Sequence, residues 1–302
     1  MPIRLSPFSC PLVAGHGVAA LRIRQACIER GMKPVAALGG EAMLMEEARA
    51  AGCDALHPGE SDAVTQVAIA ERCRHLGLRF LGSEPALLEA MTEARAMRQL
   101  MREAGLPLAA SEQKGDIIAI SLLADRFGRV LYLSPRQRRG PVAVAPLGWL
   151  TSERYRYLGE LAARGVASLG VVGLVEIRFR VVGNRLGFVD MRPGPTGDEA
   201  LDDVLIGLDP LVEQLRVLAG ERLRERQARL SLDGQARLWR FELPSSAIFS
   251  GGAGMRLDRC GQTGEVRLLA WGRRTGEVEA RARRVLAEWW GEEQASRWLV
   301  TL

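Results

Sequence analysis

The stretch 171–198 holds the first side chains whose types and spacing could do chemistry. It reads VVGLVEIRFRVVGNRLGFVDMRPGPTGD. Val175, Ile177, Phe179 and Val181 alternate with Glu176, Arg178 and Arg180, the period of a strand with one buried face. Gly183-Asn184 supplies a turn, and Leu186, Phe188 and Val189-Asp190-Met191 supply the return strand. The hairpin brings Glu176 and Asp190 toward the same end of a paired sheet. Two carboxylates held that way can ligate a divalent cation through hard oxygen atoms. The competing reading, which spacing alone favours, has both acids facing solvent or paired with Arg178 and Arg192.

The elements that must position this hairpin follow from periodicity. A strand at 11–14, the turn Gly15-His16-Gly17, a helix over 19–30 and a strand over 34–38 make a βαβ unit. The glycine turn can receive an anion at a helix N-terminus, although a tight strand-to-helix turn explains it equally well. Helices over 41–52 and 63–76 flank an extended 55–59, and a strand follows at 78–81. Residues 84–104 read as one long helix with Leu87, Leu88, Met91, Ala94, Met97 and Met101 as a core stripe. Strands over 117–123 and 130–133 form a second hairpin, and Arg136 to Arg139 reads as a solvated basic turn. A helix over 152–169 feeds the central hairpin, and Asp209-Pro210 opens another short helix. Beyond the charged run 222–229 the chain is β-rich and closes with a helix over 277–290.

At 302 residues the chain suits roughly two domains, and 47% hydrophobic with 25% charged residues is an ordinary globular composition. No apolar run reaches membrane-spanning length and no secretion signal is apparent, so a cytoplasmic location with no membrane contact is expected. The five cysteines are scattered without CxxC spacing and are expected to be buried thiols. Three histidines without ligand spacing give no zinc site. The net charge of +5 is carried almost wholly by arginine, Lys33 and Lys114 being the two lysines. It is spread among acids, so no nucleic-acid partner is expected.

Several runs, in order along most of the chain, carry a family resemblance. The run 14–27, AGHGVAALRIRQAC, resembles ANRGEIALRIIRAC, and Asp54-Ala-Leu-His-Pro-Gly59 resembles DAIHPG. The run 206–220, IGLDPLVEQLRVLAG, resembles ITGVDLIKEQLRIAAG, and Gly251-Gly-Ala-Gly-Met-Arg256 resembles GGFGVR. Together they resemble biotin carboxylase, an ATP-grasp enzyme. The resemblance implies an α/β (α+β) chain: an N-terminal parallel βαβ pre-ATP-grasp domain at 1–105, an ATP-grasp core at 106–225 and a small β-rich C-terminal domain at 226–302. It implies Glu176 and Asp190 as metal ligands, these two with His57 and Gly59 as cofactor-binding residues, Asp198 as the general base and Arg256 as the arginine that stabilises the biotin enolate. ATP and magnesium enter by resemblance only.

The departures from the family are grouped at its site. Pro107 leads almost directly to Ile117, so the lid subdomain over ATP is expected to be missing, and no glycine-rich run exists. Ala94 stands where the family has a phosphate lysine, Arg192 where it has a metal asparagine, Gly194 where it has the catalytic arginine and Thr196 where it has a glutamine of the bicarbonate site. Phosphoryl transfer rests on positioning and charge neutralisation, so losing these together removes efficient catalysis. The expectation is a pseudoenzyme with no cofactor. It would act as a homodimer, or as the partner or regulator of a biotin-dependent acyl-CoA carboxylase subunit or biotin carrier protein. The alternative is an ATP- and magnesium-dependent ligase, or a small-molecule binder with a changed substrate in the opened cleft.

Overall fold

Neighbouring parallel strands need a crossover connection between them, and a helix between short apolar strands supplies one. The computed structural model, which describes residues 7–37, 39, 41–110, 114–243 and 247–300, has this arrangement at its start. Strands β1 (Pro11–Val13), β2 (Val35–Ala36), β3 (Ala55–His57) and β4 (Arg79–Phe80) form a parallel sheet of order β2-β1-β3-β4. Helices α1 (Val18–Glu29), α2 (Glu41–Ala50) and α3 (Ala63–Leu76) make the crossovers. Leu38, expected to end the second strand, lies outside the described residues.

The long helix expected over 84–104 is two helices, α4 (Pro85–Thr92) and α5 (Ala94–Glu103). Between them Glu93 is extended, at φ −111° and ψ 106°. The Thr92 hydroxyl donates back to the Glu89 carbonyl at 2.7 Å, the local bonding by which threonine competes with a helix. Of the expected stripe Leu87, Leu88, Met97 and Met101 are buried, whereas Met91 is half-buried at the cleft and Ala94, just past the break, is exposed.

An eight-stranded antiparallel sheet fills the rest of the molecule. It contains β5 (Asp116–Ala124), β6 (Val130–Arg139), β7 (Val142–Ala145), β8 (Gly173–Val182), β9 (Arg185–Pro193), β10 (Gln235–Glu242), β11 (Met255–Arg259) and β12 (Glu265–Gly272). Its order is β11-β12-β10-β7-β6-β5-β8-β9, so β10 hydrogen-bonds to β7 and the sheet runs unbroken into the C-terminal strands. On one face Val175, Ile177, Phe179 and Val181 of β8 join α6 (Ser152–Ser168) in the largest apolar cluster. The alternate residues Glu176 and Arg178 therefore face the other way, toward a cleft.

The arginines 136 to 139, expected in a solvated turn, are the last residues of β6. Between the pairs Ile120–Pro135 and Leu122–Tyr132 the register shifts, and β6 carries two residues opposite Ser121. Such a bulge re-aims the strand beyond it. Here it directs the Ser134 N–H to Asp202 at 2.8 Å and brings Arg136 into the interior. The closing helix is longer than expected: α9 (Thr275–Val300) contains a non-helical break at Gly291.

Two short helices, α7 (Ala200–Ile206) and α8 (Pro210–Leu218), connect the hairpin to the C-terminal strands. Asp209 caps α8 as its sequence suggests, accepting from the N–H groups of Leu211 at 2.8 Å and Val212 at 3.2 Å, and it also pairs with Arg22. Replacing Asp209 with alanine should lower stability by about 1–2 kcal/mol. Urea unfolding measures it, and an unchanged midpoint would show the cap to be idle.

Candidate functional site

The cleft lies between the parallel sheet and the antiparallel one and encloses about 770 Å³. Residues 60–63 and Met91 form one wall, β5, β6, β8 and β9 form the floor, and the loop 193–198 with Arg240 closes the far side. Strand pairing builds the floor. In β8 and β9, Glu176 lies opposite Arg192 and Arg178 opposite Asp190, with a shift of register just beyond. Residues opposite each other in an antiparallel pair share a face, so the floor alternates acid and cation in both directions. Asp190 consequently meets Arg178 first: Arg178 Nε donates to it at 2.6 Å and Nη2 makes a second bond.

Glu176 is buried, and its partner is the residue expected in a loop. Arg136, 1% exposed, donates to Glu176 at 2.9 Å and to Asp202 at 3.1 Å, bonds the Ser121 hydroxyl, and stands 3.8 Å from Asp198. Burial opposes the charge of Arg136, but Glu176, Asp202 and Asp198 outweigh it and its pKa rises. Asp198 has two more arginines, Arg138 and Arg240, the latter at 3.0 Å. Burial pushes the Asp198 carboxyl up, but Arg240, Arg138 and Arg136 together hold it below the usual carboxylate range. Asp202 and Glu199 have less cationic company, and burial leaves both raised.

The network continues across the cleft. Glu60 bridges Arg240 at 3.5 Å and Arg267 at 3.0 Å, and Arg267 also holds Glu265 at 2.9 Å. Glu265 accepts the Val18 N–H at 3.0 Å. The anion at the start of α1 is thus the chain's own carboxylate, and a Cβ on Gly17 would stand 2.6 Å from it. Thr196 places its hydroxyl 3.4 Å from Glu176 and 3.5 Å from Arg136. Arg192 is exposed and makes no hydrogen bond or ion pair among the described residues.

The other sequence candidates fall outside the cleft floor. His57 is buried at the end of β3, with its Nδ1 accepting the Gly59 N–H at 3.0 Å. Burial lowers its pKa to about 4, so the ring is neutral at ordinary pH. Gly59 has φ +69°, and a Cβ there would stand 2.2 Å from the Ala14 carbonyl oxygen. Arg256 is held by Asp203 at 2.9 Å and Asp258 at 3.2 Å and does not line the cleft. Arg136, Arg138, Asp202, Glu199, Glu60, Arg240 and Arg267 were not singled out from sequence. The signals present were Arg136-x-Arg138 at strand period and Asp198-Glu199-x-x-Asp202 at helical spacing.

Comparison with known proteins places this arrangement. The pattern of the carbamoyl-phosphate synthase L chain, ATP binding domain family matches residues 76–226, half of the 302-residue chain. The chain belongs to that family. Among curated members it resembles a pyruvate carboxylase subunit of Methanothermobacter thermautotrophicus, at 23% identity over 332 residues, covering 76% of this chain and 68% of the relative. It resembles biotin carboxylase of a Nostoc species at 24% identity, covering 74% of each chain. Against chloroplastic biotin carboxylase of Arabidopsis thaliana it spans 49% of the relative's length. The biotin carboxylase domain dimer of Hydrogenobacter thermophilus 2-oxoglutarate carboxylase superposes with TM-score 0.83 at 20% identity, over 92% of this chain and 89% of that one. Pyruvate carboxylase of Rhizobium etli superposes with TM-score 0.81 at 19% identity, over 93% of this chain and 37% of that one. These superpositions establish the ATP-grasp fold of biotin carboxylases, and the sequence matches make the chain a biotin carboxylase-like member of the family. No described helix is long and apolar enough to cross a membrane.

The family's cofactors can be tested against this donor set. Magnesium demands near-octahedral oxygen ligands at about 2.0–2.1 Å. Glu176 and Asp190 instead have guanidinium nitrogens as neighbours, and the unpaired Arg192 adds a further cation beside them. Neither lysine lines the cleft. The residues present do not fit magnesium-bound ATP.

Proposed function

We propose that this chain is a non-catalytic biotin carboxylase relative that acts as a subunit, partner or regulator of a biotin-dependent carboxylase, in the cytoplasm. The observation that carries this reading is the pairing of the carboxylates. By resemblance Glu176 and Asp190 are metal ligands and Asp198 the general base, and each is engaged by arginine. A second support is length. The alignment with the Methanothermobacter relative runs over 332 residues while taking in 76% of this 302-residue chain, so a long stretch of the relative has no counterpart here. From α5 the chain reaches β5 within residues 104–115, which leaves no room for a lid subdomain. Water then enters the cleft, and each missing donor costs on the order of 100- to 1000-fold in rate.

Two measurements test the reading together. With ATP, magnesium, bicarbonate and free biotin, ADP release should match a protein-free control. An affinity-tagged chain should retrieve a carboxylase component or a biotinylated carrier from its source cell. Biotin-dependent ADP release, or recovery of no carboxylase component, would overturn it. A second reading, a binder of small anions, is favoured by one feature, Arg192, exposed on the cleft floor and without a partner among the described residues. A thermal shift with small organic acids that Arg192→Ala abolishes would select it.

A further inference from the structure

Cys10 and Cys53 meet at a place the cleft does not use. Cys10 immediately precedes β1 and Cys53 lies two residues before β3. The parallel pairing of Pro11 with Ala55 therefore brings the two thiols to the same end of the sheet. Their sulfur atoms are 3.8 Å apart. The backbone around them is fixed by Asp54, whose carboxylate accepts the N–H groups of Ser9 at 2.6 Å and Cys10 at 2.9 Å. The Asp54 N–H in turn donates to the Cys10 carbonyl at 3.2 Å. Cys10 is half-buried and so reachable from solvent, whereas Cys53 is buried behind it.

We propose that Cys10 and Cys53 are a redox-active dithiol that closes to a disulfide by exchange with a small-molecule disulfide of the oxidised-glutathione type. Cys10 is the entry point. It loses its proton to solvent, and its thiolate attacks one sulfur of the oxidant, forming a mixed disulfide and expelling one thiolate. Cys53 then loses its proton and attacks the Cys10 sulfur, forming the internal bond and expelling the second thiolate. Two electrons pass from the protein to the oxidant, and one small-molecule disulfide becomes two thiols. A sulfur–sulfur bond is about 2.05 Å, so the 3.8 Å separation closes by side-chain rotation and a small shift of the strand ends.

Local chemistry supports this order of events. Burial, reinforced by the neighbouring Cys10, pushes the Cys53 thiol up to about 12. The buried thiol is a poor first nucleophile, and the accessible one must begin. In a reducing compartment such a bond is regulatory rather than structural. It would staple the start of β1 to the segment entering β3, the strand that leads to Glu60 at the cleft wall.

The test uses the intact chain, fully reduced, then equilibrated with glutathione buffers of rising oxidised fraction, alkylated and digested. Two of the five cysteines should lose reactivity together, with a Cys10–Cys53 cross-linked peptide appearing in step. Cys53→Ser should stop at one glutathione adduct on Cys10, and Cys10→Ser should leave Cys53 unmodified. An adduct on Cys10 alone in the native protein, a cross-link to another cysteine, or no modification at full oxidation would overturn the proposal. The native peptide map decides the matter by itself if a serine variant does not fold.

Discussion

Replacing Arg136 with alanine is expected to cost about 3–5 kcal/mol of folding stability at neutral pH, the cost of breaking a buried ion pair from one side. Arg136 is 1% exposed and bonds Glu176, Asp202 and Ser121 at once. Without it Glu176 and Asp202 remain buried with no cation in contact. The Asp202 carboxyl, already raised by burial, then loses the cation that opposed the rise and moves further above its unfolded value. A raised carboxyl imposes its cost above its folded pKa and is relieved below it. The deficit of the variant should therefore shrink as pH falls, which urea unfolding at neutral and mildly acidic pH will read. Arg136→Lys should recover only part of the loss, because one ammonium cannot reproduce the planar fork that spans several acceptors. A variant as stable as the parent at neutral pH would mean that the network around Glu176 is ornamental and that the cation site could be reopened cheaply.

How far all this could be read beforehand depended on whether the interaction was local. The alternation in β8 put Ile177 and Phe179 on the buried face and Glu176 on the opposite one, and the structure agrees, because period two is a property of the strand alone. Of the partners that spacing favoured, Asp190 does pair with Arg178, whereas Glu176 is buried against Arg136. The Asp209 cap was likewise local and correct. The partner of Glu176 was not local: Arg136 is forty positions away, and a bulge opposite Ser121 turns it inward. Nothing in the run Arg136-Gln-Arg-Arg139 distinguishes such a strand end from a solvated turn. The break at Glu93 was hidden for a different reason, since apolar spacing continues across it. Glu265 at the start of α1 joins residues nearly the whole chain apart, so the glycine turn showed that an anion would fit but not which one.

Asp198→Asn should cost less than the Arg136 variant, about 2–3 kcal/mol at neutral pH, as the loss of a charge-assisted buried hydrogen bond. The difference comes from solvent. The Arg138 and Arg240 side chains are 35% and 24% exposed and recover hydration when the carboxylate is neutralised, and Arg136 keeps Glu176 and Asp202. Both deficits shrink as pH falls, but in different windows, because Asp202 is raised and Asp198 is depressed. In the parent, Asp198 is held below its unfolded value near 3.9, so its contribution is whole above that pH and is lost as pH falls through the folded pKa. The stability gap between parent and variant should accordingly be constant from neutral pH down to about 4 and close below it. A gap that stays open in strong acid would show that the asparagine disturbs packing rather than charge. The same depression bears on function. A general base works best with a pKa near the operating pH, and three arginines keep this carboxylate ionised far below that range. If Asp198→Asn leaves partner capture intact while lowering stability at every pH above about 4, this aspartate, at the family's general-base position, serves as an anchor between the cleft walls.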